Sequence, residues 1–147
     1  MIRLANQADQ PALIGLLRDF AQQALAPLST EHLSAAVVPL LRGSELGEIW
    51  VLEQEQNLIG YLVIGWGWGI ESGGREGLID EVFVSLAHRN QGLGTQLVEA
   101  ALARAKQLNA KTVFLETERS NPESRKLYQK LGFEIEDSVW MRKAIGY

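Results

Sequence analysis

The spacing of hydrophobic and polar residues changes period several times along the chain, and each change predicts an element. Residues 2–4 read as a short edge strand. Asp9-Gln10-Pro11 then supplies an N-cap acid and an early proline, opening a helix on which Leu13, Leu17, Phe20 and Ala24 recur at helical spacing until Pro27 ends it. Ser29-Thr30-Glu31 starts a second helix, which Leu33, Val37 and Leu41 carry to a stop near Gly43. The period then drops to two. Residues 47–54, with Ile49, Trp50, Val51 and Leu52, predict a strand, and the turn Glu55-Gln56-Asn57 joins it in a hairpin to a longer strand over 58–70. A polar, glycine-containing loop over 71–76 precedes a β-rich run over 78–85 that must pair with the strand before it. From Gly92 the helical period returns, with Leu93, Leu97, Ala101, Ala105 and Leu108 in one stripe ending at Asn109-Ala110. Residues 112–117 predict a strand, and 121–131 a helix with Ser124, Leu127, Tyr128 and Leu131 on one side and Gly132 as its stop. Residues 133–145 read as one bent strand or two short ones.

The resulting order, βααβββαβαβ with a further strand if the last run is broken, contains no linker and no repeat. It predicts a single α/β domain over 1–147 whose three strands between residues 47 and 85 are antiparallel. Composition agrees: 46% of the 147 residues are hydrophobic and 22% charged, the balance of a globular chain able to bury a core. No apolar run reaches the length of a membrane span, because Gly60, Gly65, Gly67 and Gly69 interrupt the most hydrophobic stretch, and residues 1–6 lack the pattern of a signal peptide. A cytoplasmic protein is expected, with no membrane partner.

The chain has no cysteine, which removes disulfides, thiolate metal sites and cysteine nucleophiles. His32 and His88 lie far apart without ligand spacing, so no metal is expected, and no serine sits in Gly-x-Ser-x-Gly. Any reaction must then borrow its reactive atoms from a bound molecule. Residues 1–76 hold 4 basic and 9 acidic side chains, net −5, while 77–147 hold 10 and 9, net +1, which makes the −4 of the whole. There is no basic stripe for a nucleic-acid backbone, and none is expected as a partner. An acidic front half beside a more basic back half suits a cationic substrate meeting an anionic cofactor.

Two local patterns carry chemistry. Arg89-Asn90-Gln91-Gly92-Leu93-Gly94-Thr95 lies between a buried strand and the start of the clearest helix. Glycines there let the backbone turn tightly, so that amide N–H groups converge where the helix dipole favours negative charge, as a phosphate or pyrophosphate needs. Leu97 stands where the dinucleotide fingerprint needs its third glycine, and no Gly-Lys-Ser/Thr triplet exists for a P-loop. The second pattern is Asn121-x-x-Ser124-x-x-Leu127-Tyr128-x-Lys130-x-Gly132-Phe133, where helical geometry gathers Asn121, Ser124 and Tyr128 near one polar face.

In this order and with the elements between them, the two patterns resemble the GNAT superfamily of acyl-CoA-dependent N-acyltransferases, which implies the α/β fold of that family, a mixed, mostly antiparallel twisted sheet flanked by helices. The resemblance is strongest over 78–133 and weak over the front half, where members diverge and the acyl acceptor usually binds. It implies acetyl-CoA as cosubstrate, with backbone amides of Asn90, Gln91, Gly92, Leu93, Gly94 and Thr95, following Arg89, around the pyrophosphate of coenzyme A. It implies a strand at Val82, Phe83 and Val84 that splays from its neighbour and pairs with the pantetheine arm, Val84 offering its N–H to the thioester carbonyl. Asn121 and Ser124 would hold the cofactor from the other side, and Tyr128 would be the general acid for the leaving thiolate. Asp80 and Glu81 are the candidate bases for the incoming ammonium. As neighbours on a strand they are expected on opposite faces, and the sequence does not choose between them.

The activity implied is acetyl transfer to a primary amine by direct attack in a ternary complex, the acceptor a cationic small molecule such as a polyamine. The other readings are a non-catalytic acyl-CoA sensor and a protein N-terminal or lysine acetyltransferase, and a homodimer stays open. Gly65-Trp66-Gly67-Trp68-Gly69 adds one more feature, two indoles on one face. A hairpin folded about Gly73-Gly74 would set Trp66 opposite Glu81, where the ring could hold an ammonium. The alternative is a glycine face that admits a side chain or helix closely.

Overall fold

In the computed structural model, which describes residues 1–146, two compact units divide the chain, one of Met1–Glu116 and one from Thr117 onward. The first holds strands β1 (Ile2–Leu4), β2 (Gly47–Gln54), β3 (Asn57–Gly69), β4 (Gly74–Val84) and β5 (Thr112–Leu115) and helices α1 (Gln10–Gln23), α2 (Thr30–Leu41) and α3 (Leu93–Gln107). The strands form one sheet in the order β1-β2-β3-β4-β5, antiparallel except for the parallel pair β4 and β5. The second unit holds helix α4 (Pro122–Lys130).

Alternation along the strands divides the core. Ile49, Val51, Tyr61 and Phe83 face α1 and α2 and are buried with Leu13, Leu16, Leu17, Leu33, Val37 and Leu41. Leu62 and Ile64 point the other way, where α3 packs through Leu97, Val98, Ala101 and Ala105. Arg104 on α3 also reaches Glu48 on β2 at 2.8 Å, holding the helix in place along the sheet. Helix ends follow local rules. The Ser29 hydroxyl accepts from His32 N–H at the start of α2, and Leu25 and Asn109 take left-handed conformations past the ends of α1 and α3. Asp9, expected as the cap of α1, spends its carboxylate instead on the Arg3 guanidinium and on Asn6 N–H, all at 2.8 Å.

Three expectations change. The β3–β4 turn closes between Gly69 and Gly74, with Gly73 N–H donating to Gly69 C=O, so Trp66 pairs with Gly77 and Trp68 with Arg75. Glu81 pairs with Val63, away from either indole. Trp66 carries the Arg75 guanidinium at 5.9 Å and Trp68 is largely exposed. Second, residues 133–146 contain no strand. Ile135, Val139, Trp140, Met141 and Ile145 all remain exposed, so this run lacks the buried face and ladder partner that stabilise a strand. Third, Asp80 and Glu81 do not divide between faces, as described below.

The glycines of β3 test its register. A methyl on Gly60 would stand 2.7 Å from the Phe83 carbonyl oxygen, whereas one on Gly67 would meet nothing within 4 Å. Gly60→Ala is therefore expected to cost about 1–3 kcal/mol in denaturant unfolding. Gly67→Ala should stay close to the parent, and equal losses would contradict this register.

Candidate active site

β4 carries the candidate site. Its ladder with β3 runs Gly60↔Val84, Tyr61↔Phe83, Leu62↔Val82 and Val63↔Glu81, then skips to Ile64↔Ile79. Asp80 is thus the extra residue of a β-bulge, a feature that bends a strand and re-aims its side chains. Without it Ile79 and Glu81 would share a face. With it Ile79 points with Ile64 toward α3, and Glu81 points with Val63 toward α1 and α2. Asp80 and Glu81 then line one cavity of about 230 Å³ together with Leu17, Leu28, His32, Leu33, Ala36, Val37, Leu40, Ile49 and Val63.

The two carboxylates differ. Asp80 is exposed at the edge, while Glu81 is half-buried and its Oε1 accepts a 2.6 Å hydrogen bond from the hydroxyl of the fully buried Tyr61. Burial pushes the Glu81 carboxyl above the ordinary glutamate range, the Tyr61 hydrogen bond pulls it back by stabilising the carboxylate, and the charge of Asp80 pushes it up. Burial, followed by the charge of Glu81, pushes the Tyr61 phenol up in turn, so Tyr61 is a permanent donor to its partner.

Among the described residues, no strand pairs with the opposite edge of β4 beyond Ile79. β5 pairs only with Glu76, Gly77, Leu78 and Ile79, so the two strands part where the bulge begins. Ser85 N–H donates to Ile59 C=O at 2.8 Å, which makes the odd-numbered residues of this stretch the hydrogen-bonded partners of β3. The backbone groups of Val82 and Val84 consequently face the free edge. Arg89 folds onto that edge, its Nε donating to Val84 C=O at 2.8 Å, its Nη2 to Gln23 at 2.6 Å, and its guanidinium lying 5.4 Å from the centre of the Phe83 ring. The Val84 N–H is left as the outward donor.

Arg89 leads into the glycine loop. Asn90 and Gly92 both have positive φ, 63° and 74°, and Gly92 is the N-cap of α3 without any side-chain cap. The first backbone bond there is from Gln96 N–H to Gly92 C=O, so the amides of Leu93, Gly94 and Thr95 have no intrahelical acceptor. Asn90 and Gln91 are exposed, and added methyls on Gly92 or Gly94 would meet nothing within 4 Å. An open, donor-rich helix start of this kind fits a pyrophosphate. Among the described residues no group of three or more His, Asp or Glu side chains could hold a metal ion.

In the second unit, Asn121 is the N-cap of α4, its side-chain oxygen accepting from Ser124 N–H at 3.2 Å. The far end is a Schellman motif. Phe133 N–H donates to Tyr128 C=O and Gly132 N–H to Gln129 C=O, both at 3.0 Å, with Gly132 at φ 95°. The Phe133 ring meets the Tyr128 ring edge-on at 6.0 Å, fixing the phenol's direction. Burial raises the Tyr128 pKa, which keeps the proton an acid must give.

Sequence reasoning missed Tyr61 and the cavity position of His32. Both join Asp80 and Glu81 only through strand pairing and helix packing, although the alternation that makes Tyr61 core-facing was visible in the sequence. With this geometry established, comparison with known proteins identifies the class. The profile of the Acetyltransferase (GNAT) family matches residues 14–133, and the chain belongs to that family of acyltransferases. It is 27% identical over 133 residues to the uncharacterised N-acetyltransferase YhfO of Bacillus subtilis (strain 168), covering 90% of this chain and 89% of YhfO. An integron cassette protein from the mobile metagenome of Cole Harbour Salt Marsh superposes with TM-score 0.89 at 27% identity, over 99% of this chain and 91% of that one. The ribosomal-protein-alanine N-acetyltransferase of Brucella melitensis biovar Abortus 2308 shares the fold with TM-score 0.76 at 22% identity, covering 100% and 99%.

The opposing influences on Glu81 give a signed prediction. Removing the Tyr61 hydroxyl takes away a donor to the carboxylate, so Tyr61→Phe should move the Glu81 titration, followed by carboxyl-carbon NMR, to higher pH. Asp80→Asn removes a like charge and should move it lower. Shifts of the same sign in both variants would contradict the arrangement. Because the folded value lies above the unfolded one, Glu81 favours the native state most at low pH and less as pH rises through its folded pKa.

Proposed function

We propose that the chain is one GNAT domain over 1–147 that moves an acetyl group from acetyl-CoA to a primary amine, cationic at neutral pH, in a ternary complex. Cationic primary amines include polyamines and amines with a single charge on an apolar body, between which the cavity wall discriminates as argued from its lining below, and a cytoplasmic location belongs to the same proposal. The observation that carries it is the double use of β4: a carboxylate pair toward a cavity on one side, and a free backbone edge on the other. The family uses acetyl-CoA as cosubstrate, which supplies a thioester carbonyl and a thiolate leaving group.

Each residue then has a task. Amides of Gly92, Leu93, Gly94 and Thr95, following Asn90 and Gln91, bind the pyrophosphate, while Arg89 holds the Val84 carbonyl and so aims that strand end. Val82, Phe83 and Val84 present the strand edge to the pantetheine arm, with the Val84 N–H directed at the carbonyl oxygen, where a fixed donor favours developing negative charge. Asp80 draws in the ammonium. Glu81, raised toward the operating pH, takes its proton directly or through water and frees the nitrogen lone pair to form the new C–N bond. As the C–S bond breaks, Tyr128 gives its proton to the sulfur, and the second proton that the nitrogen sheds in becoming an amide restores the phenol by way of solvent, a part that rests on the motif and on the raised Tyr128 pKa. Asn121 and Ser124 shape the start of the helix that bears it and hold the coenzyme from the other side. A carboxylate partnered by a buried tyrosine inside a cavity favours this reading over a sensor that only binds acyl-CoA.

Two variants test it. Tyr128→Phe should lower kcat about 10²- to 10⁴-fold with coenzyme A affinity nearly unchanged, since a general acid acts in the transition state. Turnover within about threefold of the parent would remove Tyr128 from the chemistry. Gly94→Asp places a carboxylate at the loop without a steric clash and should abolish acetyl-CoA binding in calorimetry while the protein stays folded.

A further inference from the structure

We infer that the acceptor is a primary monoamine on an apolar body, an arylalkyl or branched alkyl amine, and that polyamines are poor acceptors. The inference rests on the acetyltransferase reading of the site and names its substrate class. Charge decides the head of the substrate and the cavity wall decides its body.

The charged end is single. Asp80 and Glu81 are adjacent in the chain and meet at the bulge, so they serve one nitrogen at one place. Among the described residues no other lining residue is acidic: the remaining polar one is His32, which brings no negative charge. The rest of the wall is Leu17, Leu28, Leu33, Ala36, Val37, Leu40, Ile49 and Val63. Leu17, Leu33, Val37 and Ile49 are each at most 5% exposed and form its floor, while Leu28, Ala36 and His32 are exposed and form its mouth.

A second ammonium, several carbons from the first, would lie against this wall without a partner, and desolvating an unpaired charge is far more costly than burying methylene or aryl surface is favourable. An apolar body gains in the same place. A cavity of about 150 Å³ lined by Leu, Ile and Phe is large enough for benzene, so about 230 Å³ accommodates a phenyl ring or branched alkyl chain on a short arm. Mostly apolar walls with a few converging polar groups are also the usual form of a small-molecule site.

The test compares 2-phenylethylamine, isopentylamine, ethylamine, putrescine and spermidine as acceptors with acetyl-CoA, reading thiol release. In parallel, binding of 2-phenylethylamine and spermidine is followed through the Leu33 and Val37 methyl resonances. The two apolar amines should exceed putrescine and spermidine in kcat/KM by about tenfold or more, a difference of about 1.4 kcal/mol. Ala36→Phe, which narrows the mouth from an exposed helix position, should lower the ratio of 2-phenylethylamine to ethylamine kcat/KM about tenfold. Spermidine or putrescine matching the apolar amines, or an unchanged ratio in Ala36→Phe, overturns the inference and leaves the acetyltransferase reading standing. If no amine releases thiol, the methyl resonances decide: shifts with 2-phenylethylamine and not with spermidine uphold the apolar cavity and remove the acetyltransferase reading. Absent or equal shifts overturn the inference.

Discussion

One extra residue in β4 governs the site. The bulge at Asp80 changes the parity of the strand, so that Ile79 and Glu81 serve opposite faces although they are two positions apart. It also falls where pairing with β5 stops, after Ile79 and Leu115. A bend in β4 at this point therefore produces both halves of the arrangement: carboxylates aimed into the cavity under α1 and α2, and a backbone edge that no strand pairs with among the described residues. Neither half is useful alone. A regular strand would have placed Glu81 against α3 and left β5 free to continue its ladder toward Val84.

Placing Glu81 there has a cost, which Tyr61 partly offsets. A half-buried carboxylate loses hydration, and its pKa rises until the proton is held more tightly than in water. Full desolvation without a donor would keep the proton permanently and abolish any use as a base. The Tyr61 hydroxyl returns part of the lost stabilisation to the charged form. Its ring is at the same time a fully buried member of the core, in contact with Phe83 at 5.8 Å between ring centres. Phe83 in turn lies beneath the Arg89 guanidinium, which grips the Val84 carbonyl. A chain of packing and hydrogen bonds thus links the candidate base to the strand edge and to the start of the glycine loop.

What was legible in the sequence was what local chemistry decides. The stripe of Leu97, Ala101 and Ala105, the Ser29 cap, the strand over 47–54 and the glycine stop at Gly132 depend on residues within a turn or two of one another. The bulge is different in kind. Period-two alternation predicts that Asp80 and Glu81 diverge, and only the pairing partner on β3 shows that one residue has been inserted. The position of Trp66 failed for a related reason: register follows from where the turn closes, and the glycine pair 73–74 marks the end of that turn rather than its centre. Residues 133–146 failed in the other direction, because β-favouring side chains predict a strand whether or not a partner is present to complete its ladder.

The Asn-to-Gly-Phe pattern shows how a motif can be read as mechanics. Asn121 starts α4 by accepting an amide that the first turn cannot satisfy, and Gly132 ends it by adopting a φ of 95° that other residues resist. The reversed chain then brings Phe133 back over the last turn, where its ring abuts that of Tyr128. Between its two ends the helix has one phenol whose direction is fixed and whose proton is retained by burial. The residues flanking Tyr128 need touch no substrate to matter. Their contacts restrain the ring that bears the hydroxyl, and a donor restrained in this way loses less conformational freedom when it is used than one on a mobile side chain.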